Sequence, residues 1–205
     1  MHFAALMFVT DFADQAVILP VVAVVFLILL AQRRWQVASA WMLAIPGVLG
    51  TLLVLKVACY ACGWLLPALG LDQLALRSPS GHVASAAVVS SGVVALQAGR
   101  MRVGAIPAAL TAALAAAVVI GVTRVLLGAH SMAEVVVAAA IGGAGAVAFA
   151  RLSGRHLKEK SGLPIAMAAA IMLVVFHGSH LPAEAVIQSA AAATLRQWVP
   201  ACQPD

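Results

Sequence analysis

Apolar residues fill this chain in long blocks, and polar residues gather in the short gaps between them. At about 1.5 Å per residue, a helical block of about 20 residues crosses the roughly 30 Å core of a bilayer, so the pattern predicts membrane-crossing helices. Met1 to Asp14 is a short apolar patch broken by Asp11 and Asp14, too short to cross. The first span is expected over 15–31, closed by Gln32-Arg33-Arg34-Trp35. The second covers 37–60, with a kink at Pro46-Gly47 and Lys56 near its far end, where a long side chain reaches the interface. A loop-like connection over 64–78 carries Pro67, Gly70, Asp72 and Arg77. The third span opens at Ser80 or Gly81 and ends near Ala98; the fourth covers 103–122 and the fifth 131–150. A charged stretch, 151–160, precedes a sixth run over 163–176 that is short for a span, and the tail over 181–199 reads as an interfacial helix opened by Pro182 and Glu184. The expected fold is all-α: one polytopic membrane helical bundle of about six transmembrane helices.

Composition agrees with the pattern. The 205 residues are 64% hydrophobic and only 9% charged, with a mean hydropathy of +1.07, which excludes an ordinary soluble domain. The net charge of +5 does not indicate a nucleic-acid partner, because the basic residues form short clusters between apolar runs rather than one polar face. Counted by face, Arg33, Arg34, Arg100, Arg102, Arg151, Arg155, Lys158 and Lys160 fall on one side, and Lys56, Arg77, Arg124 and Arg196 on the other. The positive-inside rule makes the first side cytoplasmic, so the second, which carries the polar motifs, points outward. Both termini then lie outside, provided the sixth run crosses. No Lys or Arg precedes the first span, which argues against a cleaved signal peptide. Cys59, Cys62 and Cys202 are too few for a disulfide framework, and the Cys59-x-x-Cys62 pair reads as buried thiols. Trp35, Trp41 and Trp64 read as interfacial anchors, and Gly142-Gly143-Ala144-Gly145 as a place where helix backbones approach closely.

Two polar stretches stand out: Pro79-Ser80-Gly81-His82, and Thr123-Arg124 followed by His130-Ser131-Met132-Ala133-Glu134. Two crossings separate them, so the chain returns to the side it left and both meet at one membrane surface. Polar groups at that depth are expensive and commonly functional. A helix start presents unpaired N–H groups and the positive end of its dipole; Ser80 is a good N-cap, and Gly81 lets an anion approach the backbone. The alternative for this stretch is an ordinary capped helix with an interfacial His82. His130 and Glu134, four apart, share a face if the fifth helix includes both. A carboxylate there holds one ring nitrogen as a donor and leaves the other lone pair free to attack. Arg124 adds a planar fork for phosphoryl oxygens and Lys56 a point charge. These residues could instead be structural ion pairs; their convergence on one face favours a site. His177 and His180 have no third ligand nearby and read as interfacial side chains rather than a metal site.

The Pro79-Ser80-Gly81-His82 stretch and the Arg124-x5-His130-x3-Glu134 spacing resemble the second and third signature motifs of the type 2 phosphatidic acid phosphatase (PAP2) superfamily of membrane lipid phosphatases. The resemblance runs from about Lys56 to Gly145 and implies a PAP2-like core over about 37–150, with an extra span and tail over 163–205. It implies a metal-independent phosphatase without a cofactor. In that reading His130 is the nucleophile and forms a phosphohistidine, and Glu134 orients and polarises it. His82 is general acid to the leaving group and then general base to water; Lys56, Ser80, Gly81 and Arg124 hold the phosphoryl oxygens. The chain departs from the family at Thr123, where a Ser is usual, and at Glu134, where an Asp is usual. The Arg-Pro pair expected seven residues after Lys56 falls at Gly63-Trp64, and Arg77 is the expected substitute for that charge. The implied substrate is a lipid phosphate, whether polyprenyl, phosphatidyl or glycolipid, met among membrane lipids. The alternatives are a lipid phosphotransferase of the same family and a non-enzymatic protein, either a pseudoenzyme or a small transporter that uses Lys56, Arg124, His130 and Glu134 as a relay.

Overall fold

A computed structural model describes residues 2–61, 78–98, 104–158, 162–191 and 193. Its helices are α1 (His2–Asp11), α2 (Gln15–Ala31), α3 (Trp35–Ala61), α4 (Gly81–Ala98), α5 (Ala105–Leu126), α6 (Met132–Ser153), α7 (Leu163–Phe176) and α8 (Ala183–Ala190), with a 3-10 turn over Gly154–Lys158 and no strand among the described residues. Five helical stretches are long and apolar enough to cross a membrane: Phe3–Ala31, Trp35–Tyr60, Gly81–Ala98, Ala105–Leu126 and Met132–Ser153. The protein is thus an all-α polytopic bundle. Arg77, Cys62, Trp64, Arg100, Arg102, Lys160, Cys202 and Arg196 lie outside the described residues.

Local chemistry explains where the helices start and stop. Asp14 caps α2, its Oδ1 accepting the Ala16 N–H at 2.8 Å. The fourth span does not end at Val122, since α5 continues through Thr123 and Arg124 to Leu126. Neither residue breaks a helix. The reversal comes at Gly128, whose φ of 67° only glycine adopts without strain. α6 then opens on a capping box, with the Ser131 hydroxyl accepting from the Glu134 N–H at 3.3 Å and the Glu134 carboxylate accepting from the Ser131 N–H at 3.0 Å.

The short α7 packs beside α2 and is tied to both ends of the bundle. At one end Gln97 of α4 donates to the Gly162 carbonyl at 2.6 Å; at the other Leu181 N–H donates to Asp14 at 3.1 Å and His177 meets the Phe8 carbonyl at 2.9 Å. At 14 residues it rises only about 21 Å. That is less than a full bilayer core, yet with its flanking residues from Gly162 to Leu181 the segment is tied to both ends of the bundle.

In the core, α6 lies close against α3 and α4 because Gly142 and Gly145 carry no side chain. A Cβ at Gly145 would fall 2.3 Å from Val48 Cγ2, and one at Gly142 would fall 2.8 Å from the Ala87 Cβ. Trp41 does not anchor at the interface. It is fully buried, packs edge-on against Phe149 at 5.6 Å and donates to the Val22 carbonyl at 3.1 Å. Its indole is a core wedge with its one polar atom satisfied, whereas Trp35 is exposed. Leu43, Val54, Leu114 and Val174 are exposed on the outer faces of their helices, as lipid-facing side chains are. Cys59 is a half-buried free thiol. Arg34 is buried at the end opposite the polar motifs, where it donates to the His156 carbonyl at 3.2 Å.

Candidate active site

His130 sits in the turn between α5 and α6, one residue before the N-cap of α6, and Glu134 lies in the first turn of that helix. The His130 Nδ1 is 2.9 Å from Glu134 Oε2, and both side chains are nearly buried. The same carboxylate accepts from the Ser131 N–H and, through Oε1, from the Ser78 N–H at 2.7 Å. Its extra methylene relative to Asp does not prevent the contact. Nδ1 bound as a donor leaves the lone pair of Nε2 free. Burial disfavours the His130 imidazolium and lowers its pKa; the Glu134 carboxylate pulls the other way, and the charges of Arg124 and Lys56 reinforce the fall.

The bond from Ser78 to Glu134 and a long one from the Ser80 N–H to the Glu134 carbonyl, 3.5 Å, hold the start of α4 against the start of α6. His82 and His130 are therefore at the same end of the bundle. Ser80 is fully buried, and its hydroxyl does not cap α4: among the described residues it has no hydrogen-bond partner. A buried orphan hydroxyl costs about 1–3 kcal/mol. The buried Arg124 Nε has no partner among the described residues either. At Gly81 an added Cβ would meet only the Lys56 Cε, at 3.8 Å, and Gln15 Nε2, at 4.0 Å, so protein packing does not itself demand glycine there.

Lys56 is buried and already engaged. Its Nζ donates to Ser78 Oγ at 2.8 Å and to Glu184 Oε2 at 2.6 Å. Glu184, on α8, also accepts from Tyr60 and, at 3.1 Å, from Ser78 Oγ. Burial raises the Glu184 carboxyl, but the bonds from Lys56, Tyr60 and Ser78 outweigh it and hold the group below the usual carboxylate range. Lys56, Gly81 and His82 line a cavity of about 190 Å³ together with Asp14, Leu181 and Glu184. His130 and Arg124 are not among its walls. Across it the His82 Nε2 lies 3.7 Å from Asp14 Oδ2. Asp14, Tyr60, Ser78 and Glu184 were not singled out from sequence as site residues, and only Asp14 and Glu184, carboxylates next to apolar blocks, carried a signal that could have marked them. Among the described residues no group of three or more His, Cys, Asp or Glu could hold a metal ion. His177 packs its ring, tilted, against those of Phe8 and Phe12.

Fold and site define a class: a polytopic α-helical membrane protein with a carboxylate-oriented histidine, a buried lysine and a half-buried arginine at one end. Residues 68–158 match the sequence model of the PAP2 superfamily. That match supports a phosphatase-type function on lipid phosphates in general. The chain is also 28% identical, over 90% of its length and 89% of the relative's, to a Klebsiella pneumoniae protein described as an uncharacterized 22.5 kDa protein in cps region. No solved structure matches it significantly. Lys56, Asp14 and Glu184 fall outside the matched segment, while Arg77, Ser80, Gly81, His82, Arg124, His130 and Glu134 fall inside it.

Proposed function

We propose that the protein is a lipid phosphate phosphatase that hydrolyses a phosphomonoester or pyrophosphate of a membrane lipid through a phosphohistidine, at the outer face of a bacterial inner membrane. The observation that carries this reading is the 2.9 Å contact between His130 Nδ1 and Glu134, which leaves Nε2 as a neutral, oriented nucleophile. In the first half-reaction Nε2 of His130 attacks phosphorus, the bond from phosphorus to the leaving oxygen breaks, and His82 gives that oxygen a proton. In the second, water attacks the phosphohistidine, His82 takes a proton from it, and the nitrogen–phosphorus bond breaks to release inorganic phosphate and neutral His130. Lys56, Arg124, Arg77, Ser80 and the Gly81 backbone would hold the phosphoryl oxygens, where positioning and positive charge do most of the work. The orphan donors on Ser80 and Arg124 support that role.

An amphiphilic substrate also suits the surroundings. An apolar cavity of about 580 Å³, walled by Phe12, Ala13, Ala86, Val89, Ala116 and Ile120 among others, runs between α2, α4, α5 and α7. Ala13 adjoins Asp14, and Ala86 lies one turn beyond His82 on the same face of α4, so the cavity begins where the polar site ends. We assign it to the hydrocarbon chain of the substrate. The test is phosphate release from a short-chain lipid phosphate by purified protein. Wild type should release phosphate and form an acid-labile phosphoprotein, and His130→Ala should do neither. Equal release by His130→Ala, or no release from any lipid class, overturns the reading and favours the relay.

A further inference from the structure

Asp14 stands before α2, far in sequence from the polar motifs and outside the matched family segment. Its carboxylate is nearly buried, and its two oxygens have different partners. Oδ1 accepts two backbone N–H groups, from Ala16 at 2.8 Å and Leu181 at 3.1 Å. Those bonds pin the side chain and leave Oδ2 facing two imidazoles, His82 Nε2 at 3.7 Å and His180 Nδ1 at 3.6 Å. One oxygen serves the fold; the other serves a histidine on the cavity wall.

We propose that Asp14 is a positioning residue for His82: it holds Nε2 as a donor, so that Nδ1 is the nitrogen that exchanges protons with the leaving oxygen and then with water. The proposal rests on the phosphatase reading. In the first half-reaction the His82 imidazolium transfers its Nδ1 proton to the leaving alkoxide, giving an alcohol and a neutral ring whose Nε2–H still points at Asp14. In the second, Nδ1 recovers a proton from the attacking water. A carboxylate behind the ring fixes its tautomer and stabilises its cation, as in hydrolase triads built on other folds. The 3.7 Å separation is that of an ion pair rather than a formed hydrogen bond, and such contacts tighten when substrate binds. The other charged groups around the pair are Lys56 and Glu184 on the cavity wall, Arg124, whose charge reaches Asp14, and Asp11, which lies 3.9 Å from His180.

The experiment compares two substrates of purified full-length protein, a short-chain alkyl phosphate, whose leaving oxygen needs a proton, and an aryl phosphate, whose leaving oxygen does not. Asp14→Asn removes the charge yet keeps a side-chain oxygen to cap α2. Its kcat on the alkyl phosphate should fall at least about tenfold while kcat on the aryl phosphate changes less than about threefold, and the loss should vanish in a His82→Ala background. Asp14→Ser, which also caps without charge, should reproduce the selective loss, and His180→Ala should leave the ratio of the two rates as in wild type. An equal loss on both substrates, a loss that adds to that of His82→Ala, or no loss at all overturns the positioning role. A wild type inactive on both substrates overturns the phosphatase reading instead, and this role with it.

Discussion

At the scale of single residues, Glu134 carries more than one task. Its two oxygens cap α6 through Ser131, tie down Ser78 at the head of α4 and orient His130. The four-residue spacing of His130 and Glu134 made their contact legible from sequence, although the helix expected to hold both begins only at Met132: His130 stands in the turn before it, and the capping turn at Ser131 brings the ring to the Glu134 carboxylate. The partners of His82 were not legible. Asp14 reaches it only through the packing of α2 beside α4, and no local spacing encodes a contact across 68 residues of chain. The hidden surroundings of His130 lead to a pH prediction. Burial, with Arg124 and Lys56 nearby, depresses its pKa below the ordinary imidazole value. A depressed pKa means that the folded protein binds fewer protons than the unfolded chain just below that value, so protonation in this window works against folding. It also means that the nucleophile stays neutral there. In rates of phosphohistidine formation, the acid limb should therefore lie below the ordinary imidazole range near pH 6.5. A limb at or above that value would contradict a buried, cation-flanked nucleophile.

The helices themselves repeat the order of the apolar blocks, and where they differ the cause is physical. α5 outlasts its apolar block because Thr123 and Arg124 tolerate helix and Gly128 supplies the stop. Trp41 is inside because neighbouring helices enclose it, a fact of packing that hydropathy does not carry. α8 is the least legible element: its sequence reads as an interfacial helix, yet its Glu184 reaches down to a buried lysine. A lipid phosphate that binds Lys56 must compete with that carboxylate. Glu184→Gln keeps the side chain's shape and removes the competing charge, so the inhibition constant for inorganic phosphate and the KM for lipid phosphate should each fall about threefold, a modest change because Glu184 is half exposed. The wild-type bond is present above the free carboxylate range and is lost only as pH falls through the lowered value, so the difference between wild type and variant should shrink at strongly acid pH. Phosphate inhibition identical in the two proteins at neutral pH would show that Lys56 and the phosphate do not meet.

Across the whole molecule, a polar end and an apolar interior meet at the first turns of α2 and α4. His82 and Asp14 face one cavity; Ala86, one turn along α4 from His82, and Ala13, next to Asp14 in the chain, face the other. Small residues keep the second cavity open: Ala112, Ala116, Ala166 and Ala170 stand where larger side chains of the opposing helices would close it. If that space holds the hydrocarbon chain of the substrate, its width matters only to substrates long enough to enter it. Ala116→Phe narrows the cavity from the α5 side, with no change to the polar residues. It should lower kcat/KM for a long-chain lipid phosphate about tenfold and leave a short-chain analogue within about twofold, because a pocket contact with a few methylenes discriminates by that order. An equal loss on both chain lengths would mean that the substitution disturbs the bundle rather than the tail. No loss on either would mean that the tail lies outside the bundle, in lipid, with only the headgroup reaching the histidines.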